Sequence, residues 1–331
     1  MTDGPITIAG SKLSLTVNPR VGGTITAITH LELGLSVLGT VPWDAVDAPI
    51  GGLAPPTEAE WLTRYTGGWP LLFPNGGDAC MFDGVFHGFH GEGSIAPWRA
   101  AVGEGGISLT RRFFSVPVEM RRDLVLEGDV LVIRECVLMK GPRPIEIMWG
   151  HHPTFGSDLL AGPVEISTSA RRASAEAVYD PPANPLTPGA QGAWPSLAGK
   201  AGPFDLAHPA GPIAASAYVE DFDQRAWIAM RRLDDAIGVA LSWDASVFAC
   251  AWLWYELGGT PEAPWHGRGN VIGLEPNTTK PALGLAEASR RGGRLLRLEP
   301  GADMSTELRL HVFKPRGAVA GVDADGRASR T

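Results

Sequence analysis

Apolar residues that return at every second position limit, more than any other feature, what this chain can fold into. Leu13, Leu15 and Val17 alternate with Lys12, Ser14 and Thr16, and near the other end Leu308, Leu310 and Val312 alternate with Arg309 and His311. A period of two places one set of side chains on one face of a strand, so these segments read as half-buried strands. Between them, the runs ISLTRRFF, DVLVIRECVLM, VEISTSA, GVALSWD, ACAWLWYEL and NVIGLEP are rich in β-branched and aromatic residues, and turn signals such as Glu127-Gly128-Asp129 separate them. No long, capped 3.6-residue pattern intervenes. Strands without helical crossovers predict an antiparallel all-β sandwich, because parallel strands need such crossovers.

Composition supports this and narrows the partners. With 42 glycines and 28 prolines the chain is too punctuated for a helical bundle, and its 44% hydrophobic content excludes a disordered one. A net charge of −8 with 19% charged residues leaves no basic face for phosphates, so nucleic acid is not an expected partner. Cys80, Cys136 and Cys250 are odd in number and far apart, unlike a secreted disulfide framework. The start, MTDGPITIAG, lacks a basic and then apolar leader, and no uncharged apolar stretch reaches the roughly eighteen residues of a membrane span. The expectation is a soluble cytoplasmic protein without membrane contact, a monomer or homodimer, with one sandwich domain over residues 1–315. Two stretches break the strand rhythm. Ala177 to Pro212, dominated by Pro, Gly and Ala, reads as a long surface loop, either an ordered excursion near a binding face or a mobile flap. Residues 316–331, RGAVAGVDADGRASRT, have little to bury and read as a disordered tail.

Chemistry concentrates in a few places. Four of the eight histidines fall in two clusters, His87 and His90 in HGFHGEG, and His151 and His152 in WGHHPTF. An imidazole in a pocket both gives and takes protons near neutral pH. In NVIGLEPNTTKP, Glu275 follows an apolar run and precedes a proline, which predicts a partly desolvated carboxylate at a strand end. His87, His90 and Glu92 form a conceivable metal set, but their spacing matches no metal motif, and no metal is expected. Neither a GxSxG elbow nor a phosphate-cradling loop occurs, and GEGG at Gly103 to Gly106 reads as a turn. Eleven tryptophans against four tyrosines supply indole faces. Those beside the polar motifs, Trp69, Trp149, Trp254 and Trp265, point to carbohydrate as the ligand class.

Taken in order, these segments resemble the aldose 1-epimerases, the galactose mutarotase-like family. The opening hairpin NPRVGGTITAI, then GGWPLLFPN with HGFHGEGSIAPW, then WGHHPTF, then GLEPNTTKP, and the closing LEPGADMSTELRLHVF follow the family's sequence of motifs. The likeness spans most of the chain except the long loop and the tail. It implies an antiparallel β-supersandwich that interconverts the α and β anomers of an aldose without a cofactor. By the same resemblance Glu275 is the base and His152 the acid, while His90 sits close to the ring oxygen or a neighbouring hydroxyl and Asn75 and Trp69 belong to the substrate motifs. His151 stands where the family often has Asn. Asp244 in LSWD is the candidate for the family's substrate-binding Asp. One departure concerns the Arg that many members carry after Asn75; here Gly76, Gly77 and Asp78 follow instead. Arg268 is the candidate to supply a cation from another direction, which would suit an acidic or phosphorylated sugar. Two other readings remain on this scaffold: a sugar-binding or sensing protein without turnover, and another sugar-modifying enzyme.

Overall fold

The computed structural model describes residues 4–48 and 54–330. Two large antiparallel sheets form its body. Along the first, neighbouring strands run Val164–Thr168, Arg225–Arg232, Gly238–Asp244, Asp303–Phe313, Val130–Met139, Val118–Glu127, Gly106–Arg112 and Arg99–Gly103. Along the second they run Gln191–Ala193, Arg172–Ala175, Ile213–Glu220, Cys250–Leu257, Asn270–Asn277, Gly150–His151 and Leu71–Leu72, with Thr154–Phe155 also paired to Asn270–Asn277. A smaller sheet holds Ile6–Ala9, Leu13–Asn18, Thr24–His30 and Leu35–Ser36. This is the all-β antiparallel sandwich that the alternation predicts.

The alternating residues build one continuous core. Leu13, Leu15, Val17, Ile25 and Ile28 are fully buried and share a cluster with Trp69, Phe73, Ile133, Trp149, Leu308 and Leu310. Each such side chain contributes about 1.5–3 kcal/mol by leaving water. One place in the core breaks the apolar rule. In Val118–Glu127 the inward row is Val118, Met120, Arg122 and Leu124, so an arginine with no exposed surface occupies an apolar position. Cross-strand register explains why it is tolerated, since Arg122 lies directly opposite Glu135. Their side chains pair at 2.6 Å.

Helix is scarce. The short helix Glu58–Leu62 starts at a side-chain N-cap, in which the Thr57 hydroxyl accepts from the Glu60 amide at 3.2 Å and donates to the Glu60 carboxylate at 3.1 Å. A second helix spans Gly284–Arg290. No helix among the described residues is long and apolar enough to cross a membrane.

One alternative is decided and two expectations need correcting. Of the two readings of Ala177 to Pro212, the ordered excursion holds: Gln191–Ala193 joins the second sheet, and Ser196–Gly199 pairs with Gly202–Asp205. The expected disordered tail is a hairpin, Val319–Val322 against Ala328–Arg330, with Thr331 outside the described residues. Its turn is set by Asp323, whose carboxylate accepts from the Asp325 and Arg327 amides, and by Gly326 at φ 81°. Asp129 anchors it through Arg327, and Val319 covers Ala229 and Ala240. Finally, Pro276 does not end its strand, which continues to Asn277. On the side facing residues 150–155 the ladder is broken, with bridges only at Ile272, Gly273 and Asn277. The missing N–H of Pro276 therefore costs no ladder bond there.

Candidate active site

That broken ladder is where the site is built. The register pairs Gly273 with Thr154 and Asn277 with Gly150, which sets Glu275 opposite His152 across the gap. Alternation then divides the neighbouring histidines between two faces. His152 and Thr154 share the face of Glu275, and His151 turns the other way. A cleft of about 410 Å³ opens on the Glu275 side. Its walls include His90, His152 and Glu275, with the aromatic side chains of Trp61, Tyr65, Tyr218, Trp252, Trp254 and Trp265.

Glu275 is 2% exposed and its carboxyl makes no hydrogen bond among the described residues; His152 Nδ1, 3.4 Å from its Oε1, is its one charged or titratable neighbour within ion-pair range. Burial, with nothing opposing it, pushes the Glu275 carboxyl well above the usual carboxylate range. Its side chain folds over Gly273, where a Cβ would collide with Oε1. Burial also lowers His152 to about 4. His90 is lowered as well, by burial first and then by the nearby His152. Its ring stands 5.4 Å from that of His152, and its Nδ1 accepts the Gly77 amide at 2.9 Å. With Nδ1 an acceptor, neutral His90 carries its proton on Nε2 and is a donor on its other edge. Behind His152 runs a chain of hydroxyls. Tyr65 meets Thr154 Oγ1 at 2.5 Å, and Thr154 Oγ1 lies 3.1 Å from His152 Nδ1.

The charged side chains in the remaining lining are acidic. Glu58, Asp78, Glu176 and Glu256 line the cleft, and among the described residues no Lys or Arg does. Glu256 is held by the Gly259 and Thr260 amides and by the Thr260 hydroxyl, and Glu176 by the Ala177 and Val178 amides and the Tyr218 hydroxyl.

The other residues singled out in the sequence sit elsewhere. His151 is fully buried in the core, where Trp69 Nε1 donates to its Nδ1 at 3.1 Å and its Nε2 lies 3.2 Å from Glu135. Trp69 is thus a core side chain, as is Trp149, whose indole donates to Glu135 at 3.0 Å. Asn75 is fully buried and spends its amide on the Asp78 and Gly88 carbonyls and the Leu285 amide, fixing the loop that carries His90. Asp244 ends a strand of the other sheet, is exposed, and lines a separate groove with Arg121 and Arg134. Arg268 is exposed and outside the cleft lining. Glu92 is occupied by Arg111, by the Phe114 and Ser115 amides and by the Ser115 hydroxyl, so it is not free to join His87 and His90 on a metal. Among the described residues no three His, Cys, Asp or Glu side chains converge as a metal site.

Sequence reasoning missed Trp61, Tyr65, Thr154, Glu176 and Tyr218. For the first two a signal existed: the capping box TEAE at Thr57 to Glu60, followed by aromatics four apart, marks a helical turn with one aromatic edge. Trp61 stacks on Tyr65 at 4.6 Å and meets His90 edge-on at 4.8 Å.

Comparison with known proteins yields no matching family model and no matching curated protein. Solved structures do match. A protein from Synechocystis sp. PCC 6803 aligns with a TM-score of 0.66 at 17% identity, over 94% of this chain and 96% of its own. A galactose mutarotase-like protein from Lactobacillus casei aligns at 0.64 and 16%, over 94% and 100%. A galactose mutarotase related enzyme from Lactobacillus acidophilus aligns at 0.61 and 16%, over 93% and 97%. At such identities the likeness establishes the fold, which is galactose mutarotase-like over nearly the whole chain.

Proposed function

We propose that the protein is a mutarotase-like isomerase that interconverts the α and β anomers of a neutral aldose by ring opening. The observation that carries this reading is Glu275: a buried carboxylate without a hydrogen-bond partner among the described residues, beside an imidazole, in an indole-lined cleft. Ring opening needs a base for the C1 hydroxyl proton and an acid for the ring oxygen, the two exchanging roles on the return. In the carboxylate–imidazolium arrangement, Glu275 takes the O1 proton as His152 gives one to O5 and the C1–O5 bond breaks. Rotation about C1–C2 and the reverse transfers then close the ring on the other face. The open-chain state leaves Glu275 protonated and His152 neutral, which is the arrangement that burial favours for both groups. His90, a neutral donor at the cleft wall, suits the developing alkoxide. A phosphate or acid group would meet carboxylates and no lining cation, so the substrate is read as neutral, and Arg268 is given no part. Three free thiols fit a reducing cytoplasm.

Anomer-exchange NMR on a panel of aldoses tests the reading. Glu275→Gln and His152→Asn are each expected to slow exchange by roughly 10²- to 10⁴-fold. Wild-type exchange no faster than that of both variants, with sugar still binding, would identify a sugar-binding protein instead.

A further inference from the structure

Two imidazoles face one cleft, and their outer edges are held by different partners. At His90 the partner is a backbone amide, which can only donate, so Nδ1 is bare and Nε2 carries the proton. At His152 the surroundings of Nδ1 are oxygens. Thr154 Oγ1 lies at 3.1 Å and Glu275 Oε1 at 3.4 Å, and the ring's own backbone carbonyl is a further acceptor beside it.

The carbonyl accepts, and the Glu275 carboxyl, 3.4 Å away, makes no hydrogen bond to the ring, so the open question is the direction of the Thr154 hydroxyl. Tyr65 is buried, and its one hydrogen-bond partner among the described residues is Thr154 Oγ1, so its proton points there, since a buried O–H without an acceptor is costly. Thr154 has its own outlet, the His152 carbonyl at 3.3 Å. With Tyr65 donating in and the Thr154 proton directed to that carbonyl, the remaining lone pair of Oγ1 is free to accept from Nδ1. Burial holds the Tyr65 phenol far above its usual range, so it stays a donor and supplies no proton to the ring.

We infer that the two cleft histidines are held in opposite tautomers, His90 with its proton on Nε2 and His152 with its proton on Nδ1, and that Thr154, backed by Tyr65, is the positioning residue that fixes the second. The consequence rests on the mutarotase reading. A neutral His152 with a bare Nε2 takes a proton from the sugar and as imidazolium returns it, while Nδ1–H stays on Thr154 throughout. His90, with Nε2–H permanently in place, donates a hydrogen bond and exchanges nothing. The titratable groups facing His152 are Glu275, His90 and Tyr65.

Two-bond ¹H–¹⁵N correlation spectra of the imidazoles, assigned with His90→Asn and His152→Asn, test this directly, because protonated and bare ring nitrogens resonate far apart. In the wild type the two residues should show opposite patterns. Thr154→Val should let the Nε2–H form of His152 appear and lower kcat about tenfold, the worth of one net hydrogen bond, with KM within about twofold. Thr154→Ser should restore both the tautomer and the rate. A wild-type His152 carrying its proton on Nε2, or a folded Thr154→Val with unchanged spectrum and kcat, would overturn the inference. If the wild type exchanges no aldose, the mutarotase reading falls alone and the spectra still decide the tautomers.

Discussion

His151 and His152 are neighbours in sequence, and each faces a glutamate, yet the two pairs have opposite fates. Glu135, behind His151, is buried deep in the core. Burial alone would raise its pKa, but His151 and Arg122 together outweigh it, and its carboxyl is held down at about 2. Arg122 Nε and Trp149 Nε1 donate to it, at 2.6 and 3.0 Å, with His151 Nε2 at 3.2 Å. Glu275, beside His152, has the same burial with neither an arginine nor an indole donor, and its carboxyl is raised. A buried carboxylate surrounded by donors is a structural tie; one left without donors is poised to take a proton.

The contrast can be broken most forcefully from the core side. Arg122→Ala leaves Glu135 charged and short of its main partner, which should cost about 3–5 kcal/mol, measured by urea unfolding. Glu275→Gln removes a carboxyl that has no such partner, and its unfolding free energy should stay level or rise. A drop as large as that of Arg122→Ala would erase the distinction.

Exchanging the roles of the two histidines gives the next effect. His151→Asn should cost about 1–3 kcal/mol, as the buried Trp69 indole loses its acceptor and Glu135 keeps only Arg122 and Trp149, with exchange rates within about twofold. His152→Asn should do the reverse, losing rate and little stability. Calorimetry beside exchange NMR reads both.

Acid and base should separate the pairs further. The Glu135 carboxyl sits below its unfolded value, so its contribution is complete above about 4.5 and is lost as pH falls towards 2. His152 lies at about 4 in the folded state against 6.5 when free, so the unfolded chain takes its proton first and stability falls as pH drops from 6.5 towards 4, a slope to which His90 adds. Glu275 is raised, so the unfolded chain ionises first and stability falls as pH climbs above 4.5. Urea midpoints from pH 4 to 9 should therefore show a decline on the alkaline side that Glu275→Gln removes. An identical profile in that variant would mean that Glu275 is not held protonated. Smallest of all, Asp244→Asn and Arg268→Ala should change exchange by less than about twofold and stability by under about 0.5 kcal/mol, as exposed positions outside the cleft.

Much of this was legible in the sequence, for a physical reason. Period-two alternation names faces, and so it predicts the sandwich; only the observed register around Gly150 and Thr154 puts His151 and His152 on opposite sides. Alternation cannot say which face opens onto the cleft or which sheet a strand joins. Asp244 was misplaced on that account, being on the sheet away from the cleft, and Trp69 because an indole beside a polar motif serves a core as readily as a sugar. The tail hairpin was within reach, since Asp325-Gly326 after the short apolar segment VAGV is a turn signal with a mechanism. Arg122 was not, because only the register opposite Glu135 makes a core arginine tolerable.

Gly273 contributes no side chain to any of this, yet it would dominate a saturation-mutagenesis map. Any side chain there competes with Glu275 for the same space, and it would also face Trp254, the cross-strand partner of Gly273. Selection for exchange activity should reject every replacement, so the position would score alongside Glu275 itself. A reader of such a map would then credit chemistry to a residue whose whole role is to be empty.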